Sequence, residues 1–407
     1  MRTIHGKIFG LLFILLVTGA CSSRVDRTIG EIKIQLDSLQ SEYAPDKRIA
    51  LWDLTVSGSK DLISLAGEVD DKAAYKAIVR SIDQQFPEVE ITVHLLPEGG
   101  SGQTVNGLVN NSVANIRVGP SSRTAMETQA LLGTPIRILK EENDWRLVKM
   151  PNGHLGWVND SEVHSLDETE LVRFRDAQKI IFTRQYGFSY SEPDETSLPV
   201  SDLVNGCLLP VISSELDFYQ VEYPDGRLAW VKKIEVVQAE KIFGKNLSAE
   251  GLVESVLKFH GIPYLWGGIS SKGVDCSGLA SNIFFMNGIL TPRDSDQQSF
   301  CGKEITTQYE YKNLVTGDLL FFGQKASDDQ PESVSHEAIY LGDSEFIHAA
   351  GYRDRVSINS MDSTRENYIE SYPEIFVRAV RIIGETNDGF QPIMENDFYK
   401  EIITITE

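Results

Sequence analysis

The chain has 407 residues, 41% of them hydrophobic, and a formal net charge of -21 at pH 7. That length suggests two or three domains, and the acidity excludes nucleic acid as a partner, because no basic patch interrupts the negative balance. Seven histidines and four cysteines are scattered, without a Cys-x-x-Cys or a His-Glu-x-x-His, so no metal site, no other cofactor and no disulfide framework is expected.

At the start, Arg2 and Lys7 precede an apolar run from Ile8 to Val17 that ends in Thr18-Gly19-Ala20-Cys21. A charged head, a short apolar stretch and small residues before a cysteine predict a bacterial lipoprotein signal over 1–20, with Cys21 as the lipid-attachment residue. Thr18 stands where such signals usually carry Leu or Val, so an ordinary signal peptide cut nearby is the alternative. The run is short for a spanning helix. The expected place is the bacterial cell envelope, facing the periplasm and held at a membrane by lipid alone.

Over 21–102 the pattern predicts a small α+β domain. Ile29, Ile32, Leu36 and Leu39 recur at helical spacing, 49–56 and 62–67 read as strands, 71–86 as a helix and 89–96 as a closing strand. Gly99-Gly100-Ser101-Gly102-Gln103 reads as a linker.

The chain then repeats itself. Residues 144–158 align without gaps with 217–231 at an offset of 73, which also pairs Gly133 with Gly206 and Pro120 with Pro193. Short alternating strands joined by Pro-Asn-Gly and Pro-Asp-Gly turns predict two small β-barrels, at 103–166 and 167–241. Trp145, Trp157, Phe218 and Trp230 recur at equivalent places and are assigned to core and hairpin packing. Both units resemble bacterial SH3-like domains.

Chemistry concentrates in 242–384. In Asp275-Cys276-Ser277-Gly278, Leu279, Ile283 and Met286 continue at helical spacing, Asp275 can cap the helix and Gly288 can end it. Cys276 then lies in a first turn, where free N–H groups and the helix dipole favour a thiolate. Residues 335–341 and 345–349 read as a hairpin around Gly342-Asp343-Ser344. With a three-residue loop or a bulge, His336 and His348 share a face as diagonal neighbours, whereas a plain two-residue turn separates them. The tail, 385–407, is polar and then apolar, and is expected to dock as an edge strand.

With Tyr264-Leu265-Trp266-Gly267-Gly268 upstream, about 246–384 resembles the NlpC family of papain-like cell-wall cysteine peptidases. The fold class implied is α+β multidomain: a small N-terminal α+β domain, two SH3-like β-barrels and a C-terminal papain-like α+β catalytic domain. The resemblance implies Cys276 as nucleophile, His336 as base, His348 as the group orienting the base, and Tyr264 as a hydroxyl facing the reacting carbonyl. Gly317-Asp318-Leu319-Leu320-Phe321-Phe322 matches the central strand, and Glu337-Ala338 departs from the usual Val-Gly after the base. In relatives with this barrel arrangement, the residues matching Asp275 and Ser277 hold a substrate amine, and the first barrel narrows the cleft. The implied activity is cleavage of the γ-D-glutamyl to L-diamino acid bond in peptidoglycan stem peptides or muropeptide fragments, releasing L-Ala-γ-D-Glu from a free amino end. An N-acetylmuramoyl-L-alanine amidase of related fold and a non-catalytic wall-binding lipoprotein are the alternatives.

Overall fold

The computed structural model of the chain describes residues 8–59, 62–97, 106–351, 354–385 and 389–403, with side chains from Arg24 onward. The side chain of Cys21 and the linker at 99–103 fall outside the described residues. Two compact units result, Met1–Gln103 and Thr104–Glu407.

In the first unit the apolar spacing becomes packing. Ile32, Leu36 and Leu39 of α1 (Ile8–Tyr43) meet Ile63, Leu65 and Val93 from the sheet of β1 (Trp52–Ser59), β2 (Leu62–Val69) and β3 (Val89–Leu95). β1 and β2 are antiparallel. Between β2 and β3 runs α2 (Lys72–Gln85), whose cap Asp71 accepts from the Ala74 N–H at 2.6 Å. This crossover makes β3 parallel to β2, and Ile78 and Ile82 bury against the same core. Among the described residues no helix is long and apolar enough to cross a membrane.

The second unit begins with β4 (Asn106–Val109), β5 (Val113–Arg117), β6 (Met126–Leu131), β7 (Pro135–Glu142), β8 (Trp145–Lys149), β9 (Leu155–Asn159) and β10 (Val163–Ser165). They form one sheet in the order β10-β4-β7-β8-β9-β5-β6. After α3 (Glu168–Asp176) come β11 (Lys179–Phe182), β12 (Tyr186–Tyr190), β13 (Pro199–Val204), β14 (Leu208–Glu215), β15 (Phe218–Glu222), β16 (Leu228–Lys232) and β17 (Val236–Gln238). Their order, β17-β11-β14-β15-β16-β12-β13, copies the first. Each strand begins 73 residues after its counterpart, as from Asn106 to Lys179 and from Leu155 to Leu228. Gly153 and Gly226 take φ of 85° and 83° in equivalent turns, a conformation that a side chain would strain.

Closed barrels were expected, and the sheets are open. Closure requires the two edge strands to pair. Among the described residues β10 pairs with β4 alone, while β6, at the other edge, pairs with β5 and turns side chains to the neighbouring catalytic region instead. Each sheet still wraps a single core, built in the first from Val109, Ala114, Ile116, Ile138, Val148 and Val158.

After α4 (Ala239–Phe243) and α5 (Ala249–Leu257) come the short ladder of β18 (Ile269–Ser270) and β19 (Gly273–Val274), then α6 (Cys276–Phe285), β20 (Ile289–Leu290) and α7 (Ser295–Gln298). A six-stranded antiparallel sheet follows: β21 (Lys303–Thr306), β22 (Leu319–Gln324), β23 (Ser333–Gly342), β24 (Glu345–Ala350), β25 (Arg355–Ser360) and, after the short helix α8 (Tyr372–Ile375), β26 (Phe376–Arg381), in the order β21-β26-β22-β23-β24-β25. Leu319 and Phe321 of β22 face Val256 of α5 and Leu279 and Ile283 of α6, whereas Leu320 and Phe322 face Phe346, Tyr372 and Phe376. The central strand therefore buries both faces, each such side chain contributing roughly 2–3 kcal/mol. In the tail, β27 (Gln391–Pro392) pairs briefly with β20, but α9 (Asp397–Ile402) is a helix, because Tyr399 and Ile402 find an apolar socket with Phe243 and Phe285.

Candidate active site

Cys276 opens α6. Asp275 caps it with extended backbone, its Oδ1 accepting from the Gly278 N–H at 2.7 Å. Cys276 is half-buried. Backbone N–H groups of Ser277 and of Glu337, the residue after His336, point to the sulphur and favour its anion.

The hairpin supplies the imidazoles. Asp343 and Ser344 form its turn with φ of 49° and 66°, and a bulge between Tyr340 and Gly342 absorbs the extra residue. In that register His336 and His348 are diagonal neighbours, and His336 Nε2 lies 2.8 Å from His348 Nδ1.

A third residue fixes which nitrogens carry protons. Asn359, diagonal to His348 on β25, donates from Nδ2 to the Asn367 carbonyl at 2.7 Å, which turns its Oδ1 towards His348 Nε2 at 3.0 Å. An amide oxygen only accepts, so His348 carries its proton on Nε2 and accepts at Nδ1, from His336 Nε2 and from the Tyr372 hydroxyl at 3.2 Å. Neutral His336 is thus left with an unprotonated Nδ1, the form a general base needs. Asn359 and Tyr372 were missed in the sequence. Alternation along β25, with Ser357 and Asn359 polar between apolar Val356 and Ile358, was the available signal.

Asp275 and Ser277, which flank Cys276, are joined by Arg293. Arg293 is only 2% exposed. Its two arms bond Asp275 at 2.7 and 3.2 Å, one of them also meets Ser277 Oγ at 2.8 Å, and Nε donates to Thr128 Oγ1 at 2.6 Å. Asp275 Oδ2 also accepts from the Gly267 N–H at 2.8 Å, so both of its oxygens are engaged. Thr128 belongs to β6. That strand adds Gln129, which accepts from the Ile269 N–H at 3.2 Å, and Glu127, whose backbone lies against Gly267. Gly267 has φ of 76°, where a side chain would be strained, and a Cβ there would lie 3.1 Å from the Glu127 backbone.

Electrostatics bear on each group. Burial, then Asp275 and Glu337, push the Cys276 thiol up, against the two N–H groups. Burial and His348 hold His336 well below the usual imidazole range. Each alone therefore favours its neutral form, and the mutual attraction of a thiolate and an imidazolium must offset both costs when the proton moves. Tyr264, pushed up to about 12 by burial and then by Cys276 and Asp275, keeps its hydroxyl proton and can donate it. Among the described residues no cluster of His, Cys, Asp and Glu is arranged to hold a metal.

Comparison with known proteins matches this architecture. Residues 261–372 match the NlpC/P60 family, and 110–164 match the bacterial SH3 domain. A gamma-D-glutamyl-L-lysine dipeptidyl-peptidase of Bacillus cereus is 31% identical over 261 residues, covering 61% of this chain and 73% of the relative. Dipeptidyl-peptidase 6 of Lysinibacillus sphaericus is 29% identical, covering 65% and 94%. The crystal structure of an NlpC/P60 family protein from Bacillus cereus superposes with a TM-score of 0.59 at 25% identity, covering 68% of this chain and 99% of the other. The chain thus belongs to the NlpC/P60 family of cysteine peptidases.

Proposed function

We propose that this chain hydrolyses peptidoglycan stem peptides at the bond from γ-D-glutamate to the L-diamino acid, releasing L-Ala-γ-D-Glu from fragments with a free amino end. The substrate class follows the relatives named for gamma-D-glutamyl-L-lysine dipeptidyl-peptidase activity. One observation carries the chemistry: the chain of bonds from Asn359 through His348 leaves His336 with a free lone pair at Nδ1, beside the helix start that bears Cys276.

In this reading Cys276 gives its proton to His336 and attacks the scissile carbonyl carbon. The Cys276 N–H and the Tyr264 hydroxyl stabilise the oxyanion. His336 then protonates the departing amine, and water, activated by the same ring, releases the acyl group.

The short product is supported by the way β6 borders the site. Asp275 and Ser277, assigned to the substrate amine, have Arg293 between them, so a further carboxylate is needed to balance an ammonium. Glu127 meets that need: its backbone lies against Gly267 beside the site, its side chain is 34% exposed, and among the described residues its ionic partner is His154 Nε2 at 3.6 Å.

L-Ala-γ-D-Glu-L-lysine and its diaminopimelate analogue, each free and N-acetylated, provide the test. Mass spectrometry should find L-Ala-γ-D-Glu from the free peptides only. Equal turnover of the blocked peptides would remove the amine requirement, and release of whole stem peptides from muropeptides would establish an amidase. We place the protein at the cell envelope through lipid on Cys21; Cys21→Ala should then shift it from the membrane to the soluble fraction.

A further inference from the structure

Glu337 is a buried carboxyl that the chemistry above does not use. Successive residues of a strand face opposite sides. His336 joins Phe322 and Tyr372, while Glu337 turns with Phe321 and Ile339 towards α6 and α7. It is 1% exposed, and among the described residues neither carboxyl oxygen has a hydrogen-bond partner. Asp275 and Cys276 at the start of α6, and Arg293 and Asp294 just before α7, are the charged and titratable groups facing it. His336 adjoins it on β23, and Arg378 of β26, across Phe321, is held by Glu304 and Glu332.

Arg293 is the cation in this group, and Asp275 takes both of its arms, with Asp294 a further 4.0 Å contact. An ionised Glu337 would be a third negative charge around one guanidinium, with no hydrogen bond to stabilise it. Burial and then Asp275 push the Glu337 carboxyl up to about 8, with Asp294 adding to the rise and Arg293 opposing it. Its peptide N–H favours the Cys276 anion, whereas its charged side chain disfavours it.

We propose that Glu337 is a positioning residue for the nucleophile: as a neutral acid it lets Cys276 pass its Sγ proton to His336 Nδ1, and as a carboxylate it keeps that proton on sulphur. The inference rests on Cys276 as nucleophile but not on the identity of the peptide cleaved. As pH rises through about 8, only the wild type gains the opposing charge; Glu337→Gln does not.

The test is the rate of Cys276 alkylation by iodoacetamide between pH 6 and 10, read by mass spectrometry of the Cys276 peptide in the full chain. Wild type and Glu337→Gln should react alike at pH 6, and at pH 9 the wild type should lag by about tenfold. Should Glu337→Gln fail to fold, Glu337→Met carries the same comparison. Parallel profiles, or a wild-type rate that keeps rising tenfold per pH unit through pH 8 to 9, would overturn the proposal. No substrate is used, so an error in the proposed specificity leaves this result readable, and a failure here leaves the specificity standing.

Discussion

The two SH3-type sheets share one strand order at one offset, yet they meet the catalytic region differently. From the first, Thr128 bonds Arg293, which holds Asp275 beside Cys276, and Gln129 accepts from the Ile269 N–H. From the second, Asp202 pairs with Lys272 at 2.6 Å and the Gln185 carbonyl accepts from Ser271, both at the tip of the β18–β19 ladder. At the offset of 73, Glu127, Thr128 and Gln129 correspond to Val200, Ser201 and Asp202. Fold repetition therefore does not carry function with it; the neighbour that each β6-type strand meets decides its use.

Removing the link between the first sheet and the start of α6 should have the largest effect. Arg293→Met leaves Asp275 buried without its cation and should cost about 3–5 kcal/mol of stability, measured by urea unfolding, together with nearly all turnover. Glu127→Gln should raise KM for free-amine peptides about tenfold and leave kcat within about twofold, because one charge-assisted contact is lost while the relay is untouched. Thr128→Val strands the Arg293 Nε donor and should cost about 1–3 kcal/mol, with a several-fold fall in kcat/KM. Ser201→Ala, at the matching place in the second sheet, should leave kcat/KM unchanged in the same assay. An equal loss from Thr128→Val and Ser201→Ala would erase the distinction between the sheets.

Much of this molecule was legible in its sequence, for physical reasons. The repeat, the cap at Asp275 and the hairpin of 335–349 follow from spacing and turn chemistry, which are local, whereas the bulge that puts both histidines on one face was one of two open alternatives until the register was seen. The burial of Arg293 was not legible, because it depends on Thr128, 165 residues away, and on a sheet edge that stays open instead of closing a barrel. Asn359 lies 11 residues beyond His348, on a strand whose register only the fold defines. Glu337 was visible as a departure in the motif, but its lack of a partner appears only once α6 and α7 are packed over it.

The claim on which the mechanism stands is the proton arrangement of the two imidazoles. It is tested most directly by nitrogen-15 NMR of histidine-labelled, unliganded protein near pH 7, with His336→Gln and His348→Gln variants to assign the signals. The account predicts neutral rings protonated at Nε2 for both His336 and His348, with Nδ1 of His336 free. A His336 ring carrying its proton on Nδ1, with Nε2 unprotonated, would contradict it.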